Sequence, residues 1–274
     1  MKTQQEMFEL PDELEFSIEL IRRNQPSDNP YYGCFSGGKD SVALKEVVRL
    51  SGVAVEWHYH VTTIDPPELV RFIHDMHPDV HMDIPKRNFF KMAQVKGFPT
   101  RRQRWCCEQY KERRTPKGRT LLMGIRAAES PRRAMRWAEV TYHTTAKAHV
   151  ISPILHWSDE QTWAFIRERG LPYCSLYDEG FKRLGCVGCP MAGKAGRMRQ
   201  FERWPHYYRA WRELFRFTWN KRHGGIQKDG RVWFGDRYFT TWEEMFDWWL
   251  SDQSLKNRDE CMGLIDKMCP HDDA

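Results

Sequence analysis

Tyr32-Gly33-Cys34-Phe35-Ser36-Gly37-Gly38-Lys39-Asp40-Ser41 joins two segments of different character. Tyr31 to Phe35 is a short apolar run that reads as a buried strand, and Val42, Ala43, Leu44, Val47, Val48 and Leu50 continue as a helix. Glycine between them removes the Cβ that would keep backbone N–H groups away from a phosphate. The helix start adds partial positive charge at the same place. Ser36 and Ser41 bring hydroxyls and Lys39 a mobile cation, while Asp40 is suited to hold magnesium or to orient the loop. The loop is not a Walker A motif, which needs four residues between its first glycine and Gly-Lys. A plain glycine turn is the competing reading, and the flanking strand and helix weigh against it.

Outward from this loop the pattern repeats. Val53–Val61 alternates as a second strand, Pro66-Pro67 opens a helix, and Val80–Ile84, Thr120–Ile125 and Val150–Leu155 supply three more strands. Residues 12–24 form an amphipathic helix before the first strand, and Ser158-Asp159-Glu160-Gln161 is a capping box for a helix ending near Gly170. Alternating strands and helices specify an α/β doubly wound, mostly parallel sheet, whose ligands bind at the carboxyl ends of the strands. The last 75 or so residues differ. Seven tryptophans from Trp204 to Trp249 mark a helical, aromatic extension, in which packing is the expected role of the rings. The expected division is an N-terminal helix over 1–28, a nucleotide-binding and cysteine-bearing domain over 29–195, and the extension over 196–274.

The chemistry-bearing blocks, in order, are the Ser-Gly-Gly-Lys-Asp-Ser loop, Gly124-Ile125-Arg126-Ala127-Ala128-Glu129-Ser130, Ile151-Ser152-Pro153, Gly170-Leu171-Pro172-Tyr173 and Leu176-Tyr177-Asp178. The first resembles the pyrophosphate (PP) loop of N-type ATP pyrophosphatases, which cleave ATP between the α and β phosphates. Together, over roughly residues 30–195, the blocks are similar to the PAPS reductase family. The resemblance implies an adenine nucleotide alpha hydrolase-like fold. It also implies a nucleotide site of Ser36, Gly37, Gly38, Lys39, Asp40, Ser41, Gly124 and Arg126. Lys39, Asp40 and Arg126 would be its catalytic groups, with Arg132 or Arg133 nearby. A surface role is the bland alternative for Arg126. Magnesium would fall to Asp40, with Asp65 and Glu68 as alternatives.

There are eight cysteines, and the reducing cytoplasm expected for this chain disfavours a disulfide framework. Cys34 and Cys174 sit among apolar residues as packing groups. Cys106-Cys107 and Cys186-Val187-Gly188-Cys189 form a tetrathiolate set that suits zinc or an iron–sulfur cluster. Four free buried cysteines are the competing reading. The spacing is similar to the four-iron four-sulfur (4Fe-4S) motif of adenosine-phosphosulfate reductases and of cluster-bearing relatives in DNA phosphorothioation, which favours the cluster over zinc. Two features depart from the reductases. Their phosphate loop is degraded and this one is intact, and their Glu-Cys-Gly-Leu/Ile-His tail is matched only in part by Glu260-Cys261-Met262-Gly263-Leu264.

The expected activity is therefore ATP-dependent adenylation for sulfur transfer, with DNA phosphate as a candidate acceptor and a cysteine desulfurase as sulfur donor. A sulfonucleotide reductase using Cys261 and thioredoxin is the second reading. A non-catalytic nucleotide-sensing or nucleic-acid-binding subunit is the third. The net charge of +6 is a weak pointer to anionic ligands, concentrated in the arginines between 101 and 136. With no apolar run long enough to span a bilayer, a cytoplasmic protein without membrane association is expected.

Overall fold

The computed structural model describes residues 4–144, 147–226, 232–234 and 237–251. The chain forms two compact units. The first comprises residues 1–61, 66–84 and 111–185, the second 62–65, 85–110 and 186–274.

The first unit is built on a six-stranded sheet of β1 (Tyr31–Cys34), β2 (Val55–His60), β3 (Val80–Asp83), β4 (Leu121–Met123), β5 (Val140–His143) and β6 (Ala148–Ile151), in the order β3-β2-β1-β4-β6-β5. All neighbours run parallel except β5, which pairs antiparallel with β6. The doubly wound, mostly parallel architecture is as the sequence specifies. The chain reverses from one side of β1 to the other, and such a switch point places ligands at the strand carboxyl ends, where the glycine loop leaves β1.

Two strand assignments are corrected. The strand expected over Val150–Leu155 is Ala148–Ile151; Ser152 to Leu155 form a turn closed by Leu155 N–H to the Ser152 carbonyl. Val140–His143 is an edge strand that the apolar pattern misses, because Thr141 and His143 lie on one side and half-exposed Val140 and Tyr142 on the other. An edge strand has no second layer demanding apolar residues.

Burial explains why the central strands read so clearly. Tyr32, Leu121, Ile125, Ala148, Val150 and Leu155 pack together, with Cys34 and Met123 against them. Cys34 is the packing residue expected, and burial pushes its thiol up to about 12. Gly33 has a steric reason: a Cβ there would meet the Trp57 ring at 2.3 Å. The helix Gln4–Arg23 is tied to this unit by Ser17, whose hydroxyl donates to the Pro153 carbonyl and accepts from the fully buried Trp157 indole.

The second unit has an aromatic core and helices at Phe89–Lys96, Trp105–Tyr110, Gly193–Arg203, Pro205–Ile226 and Trp242–Leu250. A short antiparallel hairpin joins β7 (Val232–Phe234) to β8 (Arg237–Phe239). Phe89 stacks on Trp105, Phe98 on Phe215, and Trp211 on Trp249. Each indole also has a carbonyl: Trp105 N–H reaches Gly97, Trp211 reaches Val187, and Trp249 reaches Pro99 across 150 positions of sequence. A buried indole left without an acceptor costs about 1–3 kcal/mol, so these bonds fix which ring goes where. The extension after residue 195 therefore builds its core jointly with residues 85–110. The unit boundaries cut across the linear division at 28 and 195.

Candidate functional site

The glycine loop of the first unit is folded on its own hydroxyls. Ser41 Oγ donates to the Gly38 carbonyl at 2.8 Å and accepts from the Ser36 N–H at 3.2 Å; Ser36 Oγ lies 3.1 Å from it. Gly37 adopts φ of 71°, where a side chain is strained, and a Cβ there would also strike Leu69 and Ile73 within 2.8 Å. Gly124, at the end of β4, would press a Cβ to 2.9 Å from the Asp40 carbonyl. Glycine at 124 thus lets the β4 terminus touch the loop backbone, which joins the two sequence blocks in space.

Charge organises the rest. Lys39 Nζ lies 2.9 Å from Asp159 and 3.2 Å from Asp40. Arg126 Nε donates to Asp40 and a terminal nitrogen to Asp159, both at 2.7 Å, while its other terminal nitrogen reaches the Trp157 carbonyl. Arg126 is 2% exposed and Lys39 5%. Burial opposes the guanidinium charge, but Asp40 and Asp159 outweigh it and raise the Arg126 pKa. In turn burial pushes Asp159 up, and Lys39 and Arg126 together bring it below its ordinary value. Two cations and two carboxylates thus form a closed lattice beside the glycine loop.

This corrects the picture of Lys39 as a mobile cation. Its backbone N–H donates to the Tyr177 hydroxyl at 2.9 Å and its side chain is held by two carboxylates. Asp40 spends its carboxylate on Arg126 and Lys39, the orienting alternative. Asp159 is the member that sequence reasoning missed, and Tyr177, within one of the quoted blocks, had no role assigned to it. Asp159 was hidden inside a helix cap, where Ser158 already explained the local sequence. Burial raises the Tyr177 hydroxyl pKa and keeps it neutral as a hydrogen-bond partner. Beside the lattice, Glu129 binds Arg133 and, at 3.0 Å, Arg183; it also faces the Arg126 N–H. Burial lowers the Arg133 pKa, against an opposing pull first from Glu129 and then, more weakly, from Asp40.

The cysteine set and Asp65 belong to the second unit. Asp65 accepts from both the N–H and the hydroxyl of Thr62, and Thr62 Oγ1 lies 3.3 Å from Cys186 Sγ. The Cys106 thiol is raised first by its hydrogen bond with Cys107, then by burial and by the charges of Cys107, Cys186 and Cys189. Cys106 therefore senses the other three sulfurs. Among the described residues no three His, Cys, Asp or Glu side chains converge at ligand distances. Electrostatic influence reaches farther than coordination does, so the four sulfurs share a neighbourhood without a closed cage. The donor chemistry of that neighbourhood fits a thiolate-bound metal. Cys261 lies outside the described residues.

Residues 31–192 match the phosphoadenosine phosphosulfate reductase domain. The chain belongs to that family. The chain is 29% identical over 201 residues to an uncharacterized protein of Methanocaldococcus jannaschii, spanning 68% of this chain and 42% of that one. It is 24% identical to an adenosine 5'-phosphosulfate reductase of Shouchella clausii, over 69% of this chain and 83% of the relative. A probable FAD synthase of Caenorhabditis briggsae is 30% identical over 64% of this chain and 32% of its own length. The chain spans less than half the length of the two Methanocaldococcus relatives it matches. Its fold is similar to the PAPS reductase of Candida auris in its phosphate complex, with a TM-score of 0.51 and 18% identity over 68% of this chain and 96% of that one. The Candida glabrata FMN adenylyltransferase superposes with the same TM-score at 16% identity, over 68% and 67% of the two chains. Among the described residues no helix of this PAPS reductase domain is long and apolar enough to cross a membrane.

Proposed function

We propose that this chain is an adenylating enzyme that cleaves ATP between the α and β phosphates to activate an acceptor for sulfur transfer. The observation that carries the reading is the intact loop together with the buried Lys39–Arg126 pair held by Asp40 and Asp159. An acceptor oxygen attacks the α-phosphorus, the bond from that phosphorus to the bridging oxygen breaks, and pyrophosphate leaves with the electron pair. Charge grows on the leaving oxygens, and Lys39, the loop amides and Arg126 are preorganised to meet it. Phosphate entry would compete with the two carboxylates for the same cations. Freed in part from them, Asp40 would become available to magnesium, which supplies further charge neutralisation when bound. A sulfur nucleophile then bonds to the activated atom of the acceptor while that atom's bond to the adenylated oxygen breaks, so that the oxygen leaves as part of AMP; where a partner such as a cysteine desulfurase delivers the sulfur as a persulfide, a thiol reductant supplies the two electrons that cleave its S–S bond.

Cys106, Cys107, Cys186 and Cys189 would hold an iron–sulfur cluster, with zinc as the rival, and a bound metal would brace the second unit or handle sulfur. The spacing of the two cysteine pairs and the mutual influence of their thiols support this assignment. The reductase reading rests on the family and on Cys261.

The test is anaerobic incubation with α-labelled ATP and magnesium, following AMP and pyrophosphate, with Lys39→Ala as control. Pyrophosphate release that falls by about 100-fold or more in the variant supports the proposal. No release by the native protein, together with sulfite production from PAPS with thioredoxin that Cys261→Ser abolishes, overturns it in favour of a reductase.

A further inference from the structure

The sheet of the first unit ends in two edges, and they are defended differently. One edge is β3, which carries His81 and Asp83 and follows Asp79. Charged and polar groups of this kind keep foreign strands off an edge. The other edge is β5, which has neither lysine nor proline. Among the described residues only β6 pairs with it. Val140 keeps 41% of its surface in solvent and Tyr142 54%.

The ladder fixes which backbone groups of β5 face outward. The Ser152 N–H donates to the Glu139 carbonyl, and the antiparallel register continues from there with Val140 opposite Ile151 and Thr141 opposite Val150. In such a ladder residues alternate between turning both backbone groups to the neighbour and turning both away. Glu139, Thr141 and His143 therefore turn to β6. Val140 and Tyr142 turn N–H and C=O to the open side, where another strand can take all four groups.

The strand that fits is this one. Glu139-Val140-Thr141-Tyr142-His143 is its own complement when a second copy runs antiparallel about Thr141. Val140 then lies opposite the second copy's Tyr142, a β-branched side chain against an aromatic ring. On the other face Glu139 lies opposite the second copy's His143, a carboxylate against an imidazole. His156 holds Glu139 Oε1 at 2.7 Å, which fixes that carboxylate beside the edge. The phase agrees with the side chains: Val140 and Tyr142 are the outward-turned residues, so this register satisfies all four groups. Registers centred on Val140 or on Tyr142 satisfy only half of them within β5. An unrelated peptide finds the same backbone groups but no matched side-chain pairs. Antiparallel pairing about one residue is also a two-fold arrangement, the commonest symmetry of homodimers.

We infer that this chain forms a two-fold dimer through β5, which joins the sheets of two copies into one continuous sheet. The inference stands apart from the adenylation reading. A strand pair of this length is a small interface, so the dimer is concentration-dependent.

The experiment is sedimentation equilibrium of the full chain over a series from the micromolar to the millimolar range. The mass should move from 32.8 kDa toward twice that value as concentration rises. Tyr142→Pro deletes one outward N–H on each copy, and with it two of the four bonds between copies, while leaving the bonds to β6 in place; proline is tolerated on an edge where the N–H faces solvent. It should raise the concentration of half-dimerisation by about tenfold or more. Val140→Lys, which supplies the guard charge that β5 lacks, should do the same with the backbone intact. His81→Lys on the β3 edge should leave that concentration unaltered. If circular dichroism shows that Tyr142→Pro misfolds, Val140→Lys carries the test. A monomer throughout the series would overturn the inference. So would a dimer that the folded β5 variants leave unchanged, or one that His81→Lys weakens as much as they do.

Discussion

The two units of this chain use charge in opposite ways. In the first, the charges beside the glycine loop are paired: Lys39 and Arg126 are buried and each touches both Asp40 and Asp159. The second unit has 22 Lys and Arg against 15 Asp and Glu, and a core of stacked aromatic rings. The difference shows that net charge alone is a poor guide to function: the chain's +6 is modest, and its meaning lies in how the two units divide it.

The largest expected effect comes from breaking the balanced side. Arg126→Met leaves Asp40 and Asp159 with Lys39 alone and removes a buried charge from its partners. Pyrophosphate release should fall by about 100- to 1,000-fold, and the midpoint of urea unfolding should drop in line with about 3–5 kcal/mol of lost stability. Activity near the native level in a folded Arg126→Met protein would show that the lattice is architecture rather than chemistry. Next is the cysteine neighbourhood of the second unit. Cys106→Ser combined with Cys186→Ser should abolish stoichiometric iron or zinc, measured by elemental analysis of anaerobically purified protein. It should leave nucleotide binding by the first unit within a few-fold of native. Retention of full metal content would remove the thiolate assignment.

The smallest effect is a pH dependence of the first unit. Burial, and then the nearby Lys45, lower the His77 pKa to about 4, against a weaker opposing pull from Asp79. The unfolded chain binds this proton below about pH 6.5 while the folded chain waits until about pH 4, so stability falls as pH drops through that window. The slope contributed is at most about 1.4 kcal/mol per pH unit. His77→Phe should flatten that part of a urea-midpoint profile between pH 6.5 and pH 4. A profile identical to native would mean that His77 keeps its ordinary proton affinity in the fold.

The sequence by itself determined the alternation of strands and helices and the glycine loop between the first strand and its helix. These follow from local rules: strand and helix periods differ, and glycine alone tolerates the loop conformation. The tertiary structure decided what local pattern cannot express. Asp159 reads as a helix cap until β6 and the following turn bring it to Lys39 and Arg126. Tyr177 is one residue of a quoted block without a role of its own until its hydroxyl meets the Lys39 amide from 138 positions away. Residues 85–110 read as part of the central domain until Trp249 bonds to Pro99 and Phe98 stacks on Phe215. In each case the partner is distant in sequence, and what selects it is the cost of burying a charge or an N–H alone, a quantity that exists only once the chain has folded.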